Sequence, residues 1–238
     1  FSYSFATLQE LAREVLAYAE RQGASACEVD VSDGFGQSVT VRCGAVETIE
    51  FNRDKAISLT VYLGQRKGQA STSVFSTTAL RETVDAALNI ARFTASDACA
   101  GLPEPELLAN DCSRLPSLDL YHPWSLSVEG AVELAQRCEQ AAFAFSPQIS
   151  NSEGATVSIQ EGQFVSANSL GFIGGFPTSR HYLACSVIAG KSEQMQRDEW
   201  FAIARDAQTI GSPEAIGEQA ARRAVARLGA RKIKTCRV

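Results

Sequence analysis

The hydrophobic and polar positions of this chain follow one order twice, over roughly residues 7–93 and again over 127–229. Each stretch opens with apolar residues at helical spacing, continues through short alternating segments, and closes with a second helical stripe. Consecutive short strands pair antiparallel, and amphipathic helices must bury their apolar stripes against a sheet. The pattern therefore predicts an α+β fold built from two similar helix–antiparallel strands–helix units, an internal duplication, packed together.

Local start and stop signals predict four helices. A capping box formed by Thr7 and Glu10 opens the first, because it can satisfy two free amides at a helix start. A second helix is predicted over about 77–93 and a third directly after Ser127. The run Ser212-Pro213-Glu214 opens the fourth, since it supplies an N-cap, a proline in the first turn and an acid near the positive helix end.

Alternating segments bounded by Gly, Asn and Asp predict short strands between these helices. In the first stretch they lie near 37–42, 46–51, 56–63 and 67–73, preceded by one at 27–31. In the second stretch they lie at 155–160, 163–167, 171–176, 180–189 and 194–205. The predicted division is a first unit over 1–96, a proline-rich connector over 97–126 that wraps or bridges the units, and a second unit over 127–238.

Composition restricts the class of protein. The 238 residues are 45% hydrophobic and 21% charged, as in ordinary globular proteins, and no stretch approaches the ~20 apolar residues that span a bilayer. We therefore expect no membrane partner. The seven cysteines form no C-x-x-C pair, which excludes zinc ribbons and favours buried thiols in a reducing cytoplasm.

Charge is distributed unevenly along the chain. The net charge is −5, although the segment from Arg222 to Val238 carries seven Lys or Arg and no acid. A basic segment can bind nucleic acid, but the helical spacing of its arginines and the alternation of Lys232 and Lys234 fit a solvated helix end followed by an edge strand. The acidic remainder argues against a nucleic-acid partner.

No residues with the spacing of a known catalytic motif are present. The only two histidines, His122 and His181, stand 59 positions apart, so they cannot form the H-E-x-x-H pair of a helical zinc site. No G-x-S-x-G elbow occurs. We therefore predict no catalytic residue and no metal ligand in this chain.

One segment is a candidate contact site for a peptide or a protein partner. Asn168 and Ser169 belong to a predicted turn, where these residue types need no functional explanation. Arg180 and His181 begin the strand predicted at 180–189. A guanidinium offers a rigid fork of donors to a peptide carbonyl or carboxylate. The candidate contact residues are therefore Asn168, Ser169, Arg180 and His181.

Several segments resemble the N-terminal half of the PmbA (TldE) subunits of the TldD/PmbA metallopeptidase family. They are VETIEFN, ISLTVYLGQRKGQAST, ALNIARFTASDACAGLPEPELLA, LDLYHPW, NSLGFIGGFPTSRH and ARRAVARLGARKIKT. The resemblance runs from about Leu8 to the end and includes the connector. Family chains are roughly twice as long, which implies that the second unit leads toward a C-terminal β-rich domain.

The resemblance implies a cytoplasmic heterodimer with a TldD-like catalytic subunit, which carries the zinc on an H-E-x-x-x-H motif. The pair degrades unfolded peptides and processes peptide precursors, and the TldE-like subunit lacks the motif. The resemblance thus implies a non-catalytic subunit with no cofactor of its own. The alternative is a regulatory binding module linked to DNA gyrase modulation, which the basic stretch 222–237 favours.

Overall fold

The computed structural model describes residues 1–109 and 117–236, and its elements confirm the predicted α+β class. The helices are α1 (Phe5–Arg21), α2 (Thr77–Phe93), α3 (Val128–Phe145) and α4 (Pro213–Ala226). The strands are β1 (Ala26–Arg42), β2 (Ala45–Leu63), β3 (Arg66–Thr72), β4 (Ile149–Asn168), β5 (Ile173–Ala189) and β6 (Gln196–Ala204). They form one sheet in the order β3-β2-β1-β4-β5-β6, in which β2–β3 and β5–β6 pair antiparallel.

The chain divides into two compact units, each assembled from three segments. The first unit contains Phe1–Phe35, Arg53–Leu120 and Glu161–Thr178, and the second contains Gly36–Asn52, Tyr121–Gln160 and Ser179–Val238. Strands β1, β2, β4 and β5 contribute residues to both.

Each unit has its own core. In the first unit α1 and α2 pack on alternate strand residues, including Val29, Val31, Ile57, Leu59, Val61 and Val165. In the second unit α3 and α4 pack on Val39, Val41, Val157, Leu183, Cys185 and Val187. The period-two burial shows why these strands alternate in sequence. No helix in the described parts of the chain is long and apolar enough to cross a membrane.

The helix predictions were confirmed in most respects. Helix α2 has the predicted bounds, α3 begins directly after its cap Ser127, and α4 begins after Ser212. The capping box at Thr7 was wrong as a start, because Ser4 is the N-cap of α1 and its Oγ accepts a hydrogen bond from the Thr7 amide at 3.0 Å. A serine three residues upstream therefore satisfies the amide that the box was expected to satisfy.

The edge strand predicted around Lys232 and Lys234 was also wrong. Residues 230–236 have no regular structure, and Ile233 between the two lysines is 84% exposed. Alternation predicts a strand only where one face is buried, and this segment buries neither.

The predicted short strands are fused into longer ones. Strand β1 runs straight through Gly36, and β2 runs through Asn52 and its neighbours, where breaks were expected. A Cβ on Gly36 would lie 1.9 Å from Oδ1 of Asn52. This glycine therefore permits a close side-chain approach in an extended strand, which sequence alone does not distinguish from a turn.

The proline-rich connector is described only in part. Residues 105–107 form a short 3-10 turn and residues 117–127 have no regular structure. Pro116, one of the prolines on which the connector was predicted, lies outside the described residues.

Candidate functional site

The four predicted contact residues lie in two places. Asn168 and Ser169 belong to the turn between β4 and β5, within the first unit. Arg180 and His181 are consecutive residues of β5, within the second unit. Peptide or partner contact stays a prediction for all four.

Asn168 and Ser169 hold the β4–β5 turn in shape. Oδ1 of Asn168 accepts hydrogen bonds from the Leu170 amide at 3.0 Å and from the Phe172 amide at 3.3 Å. Oγ of Ser169 accepts from the Cys27 amide at 3.0 Å, and the Ser169 amide donates to the Cys27 carbonyl at 2.9 Å. The turn is thereby fastened to the start of β1.

A cleft of about 410 Å³ opens beside this turn, and we call it the α1 cleft. One face of α1 forms its first wall, and the segment before β1 together with the β4–β5 turn forms the other. Its lining residues are Arg13, Leu16, Ala17, Glu20, Ala24, Ser25, Ala26, Cys27, Asn168, Ser169, Leu170 and Gly171. It therefore combines a cation, a carboxylate and apolar surface.

Arg180 lines a second, smaller depression of about 300 Å³ on the sheet face opposite α3 and α4. This Arg180 groove is formed by Ser158, Gln160, Arg180, Tyr182 and Ile203. The guanidinium is exposed and donates to Oε1 of Gln160. Burial, followed by the charge of Glu199, raises the pKa of Tyr182, so its hydroxyl remains a neutral donor at physiological pH.

The groove borders the strand at the end of the sheet, whose second half is apolar. Strand β6 pairs with β5 on one side and is the last strand in the order found for the described residues. Phe201 and Ile203 are 50% and 52% exposed, and the Phe201 ring lies 5.8 Å from that of Tyr182. A terminal strand of this kind presents backbone donors and acceptors to an extended segment.

His181 points away from the groove into the core of the second unit. It is fully buried, and its Nε2 lies 2.7 Å from the carbonyl of His122. Since a carbonyl only accepts, Nε2 carries the proton. Oγ of Ser179 accepts from the His122 amide and donates to the Arg205 carbonyl, both at 2.9 Å. His181 thus fastens the end of the connector, and Arg180 is the exposed member of the pair.

The arginines at the end of α4 and at its C-cap contact other residues of the second unit. Nε of Arg223 lies 3.0 Å from Oδ1 of Asp198, and Nη1 of Arg227 lies 3.4 Å from Oδ2 of the same carboxylate. The Arg222 guanidinium stacks over the Phe145 ring at 5.3 Å. The three arginines therefore lie at a helix end, as predicted, and two of them share the Asp198 carboxylate.

Comparison with known proteins identifies the family. Residues 27–91 match the family model for the PmbA/TldA metallopeptidase domain 1, and residues 121–228 match that for the central domain. The chain is 44% identical over 220 residues to Metalloprotease PmbA of Escherichia coli O157:H7, covering 92% of this chain and 48% of that protein. This chain belongs to the PmbA/TldD metallopeptidase family.

Other relatives agree with this assignment. The PmbA homolog of Haemophilus influenzae is 40% identical over 230 residues, which cover 95% of this chain and 50% of that protein. This PmbA/TldD family chain therefore spans about half the length of the curated relatives it matches.

Solved structures share the fold. A protein described as a modulator of DNA gyrase from Bacteroides thetaiotaomicron superimposes with a TM-score of 0.87 at 21% identity, over 95% of this chain and 51% of that one. TldE from Thermococcus kodakarensis superimposes with a TM-score of 0.70 at 13% identity, over 90% of this chain and 47% of that one.

The residues present do not fit the metal that the family name implies. Across residues 1–109 and 117–236, no group of three or more His, Cys, Asp or Glu is placed to hold a metal ion. Nε2 of His181 is bonded to the His122 carbonyl, and its buried Nδ1, which has no hydrogen-bond partner among the described residues, belongs to no such group. A hydrogen bond with Cys185, and then burial, raises the pKa of Cys138, which disfavours the thiolate that a metal requires.

The sequence interpretation missed the residues that complete both depressions. In the α1 cleft they are Arg13, Leu16 and Glu20, whose i, i+3, i+7 spacing places them on one helix face. In the Arg180 groove they are Tyr182 and Ile203, which are opposite one another in the β5–β6 register. Helical spacing was readable in advance, whereas the cross-strand register was not.

Proposed function

We propose that this chain is part of a non-catalytic, PmbA/TldE-like subunit of a heterodimeric zinc metallopeptidase. A TldD-like partner carries the zinc, and the cytoplasmic pair degrades unfolded peptides and processes peptide precursors. The observation that carries this proposal is the 44% identity to PmbA over 92% of the chain. The subunit contributes a surface on which an extended peptide is held for chemistry performed by the partner.

The Arg180 groove and strand β6 supply the features that such a surface needs. An extended peptide added to β6 forms main-chain hydrogen bonds that do not depend on its sequence. Alternate side chains of that peptide face Phe201 and Ile203, which are half exposed. The Arg180 guanidinium binds a carbonyl or carboxylate on the same face. This arrangement accepts many sequences with low specificity, as degradation of unfolded peptides requires.

Reconstitution tests the proposal. The full-length protein is purified alone, a TldD-like subunit is purified alone, and both are mixed; zinc content and hydrolysis of an unfolded peptide are measured for each. We expect chelator-sensitive hydrolysis when both subunits are present and no stoichiometric zinc in the full-length protein alone. Chelator-sensitive hydrolysis by the full-length protein alone would overturn the proposal.

A variant of the groove tests the assigned surface. Ile203→Ser removes an apolar contact for the peptide from the groove, so we expect KM of the mixed subunits for an unfolded peptide to rise several-fold with kcat little changed. Met195→Ser is the matched control, because Met195 is 52% exposed but does not line the groove. Equal effects of the two substitutions would show that the groove does not hold the peptide.

The gyrase-linked alternative is favoured by the description of a structural relative as a modulator of DNA gyrase. The contacts of Arg223 and Arg227 with Asp198 weigh against it, because they occupy charges that would otherwise attract DNA. Binding of the full-length protein to gyrase or DNA at physiological salt, without association to a TldD-like subunit, would establish the alternative instead.

A further inference from the structure

We propose that the α1 cleft binds short peptides by both of their charged termini, with Arg13 on the carboxylate and Glu20 on the ammonium group. The proposal rests on the proposed function for its choice of peptides as the ligand class. The site itself is inferred from the arrangement of charges in the first unit.

The distance between the two charged residues fits a peptide of three or four residues. Arg13 and Glu20 both line the cleft and lie seven positions apart on α1. At 1.5 Å per residue their Cα atoms are about 10.5 Å apart along the helix axis. An extended peptide advances about 3.3 Å per residue, so three to four residues span that distance.

Both side chains have their hydrogen-bonding capacity available. Arg13 and Glu20 are exposed, and neither side chain makes a hydrogen bond, ion pair or ring contact with any described residue in 1–109 or 117–236. The nearby Arg21 guanidinium differs, because it stacks 5.8 Å from the Tyr18 ring. A ligand at Arg13 therefore replaces water alone and breaks no internal contact.

The rest of the cleft suits the middle of a short peptide. Leu16, Ala17 and Ala24 give its walls apolar surface, and Leu170 adds a side chain that is 43% exposed. The amide groups of residues 169–171 all donate to acceptors within the turn or to Cys27. The turn thus offers few donors to an anion, which leaves the carboxylate to Arg13.

Calorimetric titration of the full-length protein, without a partner subunit, tests the assignment. The probes are tetra-alanine, its C-terminal amide and its N-acetyl derivative. We expect tetra-alanine to bind, and amidation or Arg13→Ala each to weaken binding at least tenfold. Amidation should add less than twofold in the Arg13→Ala variant, because the same contact is already lost. Likewise, Glu20→Gln and N-acetylation should each weaken binding at least tenfold, and N-acetylation should add less than twofold in the Glu20→Gln variant.

Two variants serve as matched controls. Glu10→Gln changes the same residue type on the same helix outside the cleft, and Lys67→Ala removes an exposed cation on β3. Both should bind tetra-alanine as the parent does. Circular dichroism confirms that every variant is folded, which is expected because all four side chains are exposed.

The results separate this proposal from the proposed function. Absence of tetra-alanine binding, or binding of the amide and of the N-acetyl derivative as tight as that of tetra-alanine, would overturn the assignment of the cleft. The assignment would also be overturned if Arg13→Ala weakened binding of the amidated peptide as much as binding of tetra-alanine. A different result is that tetra-alanine binding depends on both termini while the protein gives no activity with a TldD-like subunit. That result would overturn the proposed function and support the assignment of the cleft.

Discussion

Glu139 on α3 anchors the hairpin that joins β1 and β2, and its removal should destabilise the second unit. Glu139 is 1% exposed, and its carboxylate accepts from the Cys43 amide at 2.8 Å through Oε1 and from the Gly44 amide at 2.7 Å through Oε2. Both turn residues have positive φ, +50° and +78°, as a two-residue hairpin turn requires. Gln136 completes the contact by donating to the Gly44 carbonyl at 2.9 Å.

The expected loss of stability follows from these two hydrogen bonds. A hydrogen bond to a charged group contributes about 1.5–3 kcal/mol, so two of them set an upper range of about 3–6 kcal/mol. Two effects reduce the loss: water reaches the exposed hairpin once the side chain is gone, and a buried carboxylate no longer has to be desolvated. We therefore expect Glu139→Ala to lower the free energy of unfolding by about 2–3 kcal/mol. Glu139→Gln keeps one acceptor and should recover about half of that loss.

Urea unfolding followed by circular dichroism measures the change, and the midpoint should fall by about 1 M for Glu139→Ala. Hydrogen exchange of the Cys43 and Gly44 amides gives the local readout and should accelerate in both variants. Glu133→Gln is the matched control, since Glu133 is exposed on the same helix. Unchanged midpoints together with unchanged exchange at these two amides would refute the anchoring role.

Three further predictions concern packing and buried thiols. Gly217→Ala should lower the free energy of unfolding by about 2 kcal/mol or more, because the added Cβ would lie 1.9 Å from the Cys138 carbonyl oxygen. Gly162→Ala is the control: its added Cβ meets nothing within 4 Å, so the urea midpoint should change little. Burial, and then the charge of Glu28, raises the pKa of Cys27 to about 12. Since an unfolded thiol titrates near 8.5, the contribution of Cys27 to stability should be constant below about pH 8.5 and should fall as pH rises toward 12, by about 1.4 kcal/mol per pH unit. Cys27→Ala should reduce the measured slope of stability against pH over that range. In the native state a thiol reagent should label the exposed Cys43 rapidly and leave Cys27 and Cys138 unlabelled until unfolding; rapid labelling of all three would contradict the buried geometry.

The sequence was most informative where structure is determined locally. The bounds of α2 and the starts of α3 and α4 were predictable because a serine cap precedes an apolar stripe within a few residues. The α+β class followed from the switch between helical and alternating periods. Strand ends were less predictable, because Gly36 serves a close approach to Asn52 and not a turn.

The candidate site was less predictable because its contacts join distant positions. Arg180 and His181 are adjacent, yet the strand sends one side chain to the exposed groove and the other to the core. Nothing local shows that His181 meets the carbonyl of His122, 59 positions away. The α1 cleft likewise requires that the turn at 168–171 lie beside Arg13, which only the folded chain shows.

The buried polar side chains described above are bonded to backbone, and this separates structural from functional candidates. Glu139 bonds two hairpin amides, His181 bonds one carbonyl, and Oδ2 of Asp33 accepts from the Ser2 and Tyr3 amides at 2.7 and 3.1 Å. Catalytic groups instead need side chains that orient one another and face a reacting atom. Binding by this chain is therefore best sought at exposed charged side chains that line depressions, and Arg180 in the second unit and Arg13 with Glu20 in the first are of this kind. Substitutions at these exposed positions change binding without the loss of stability that a buried anchor would cause, so their effects can be interpreted directly.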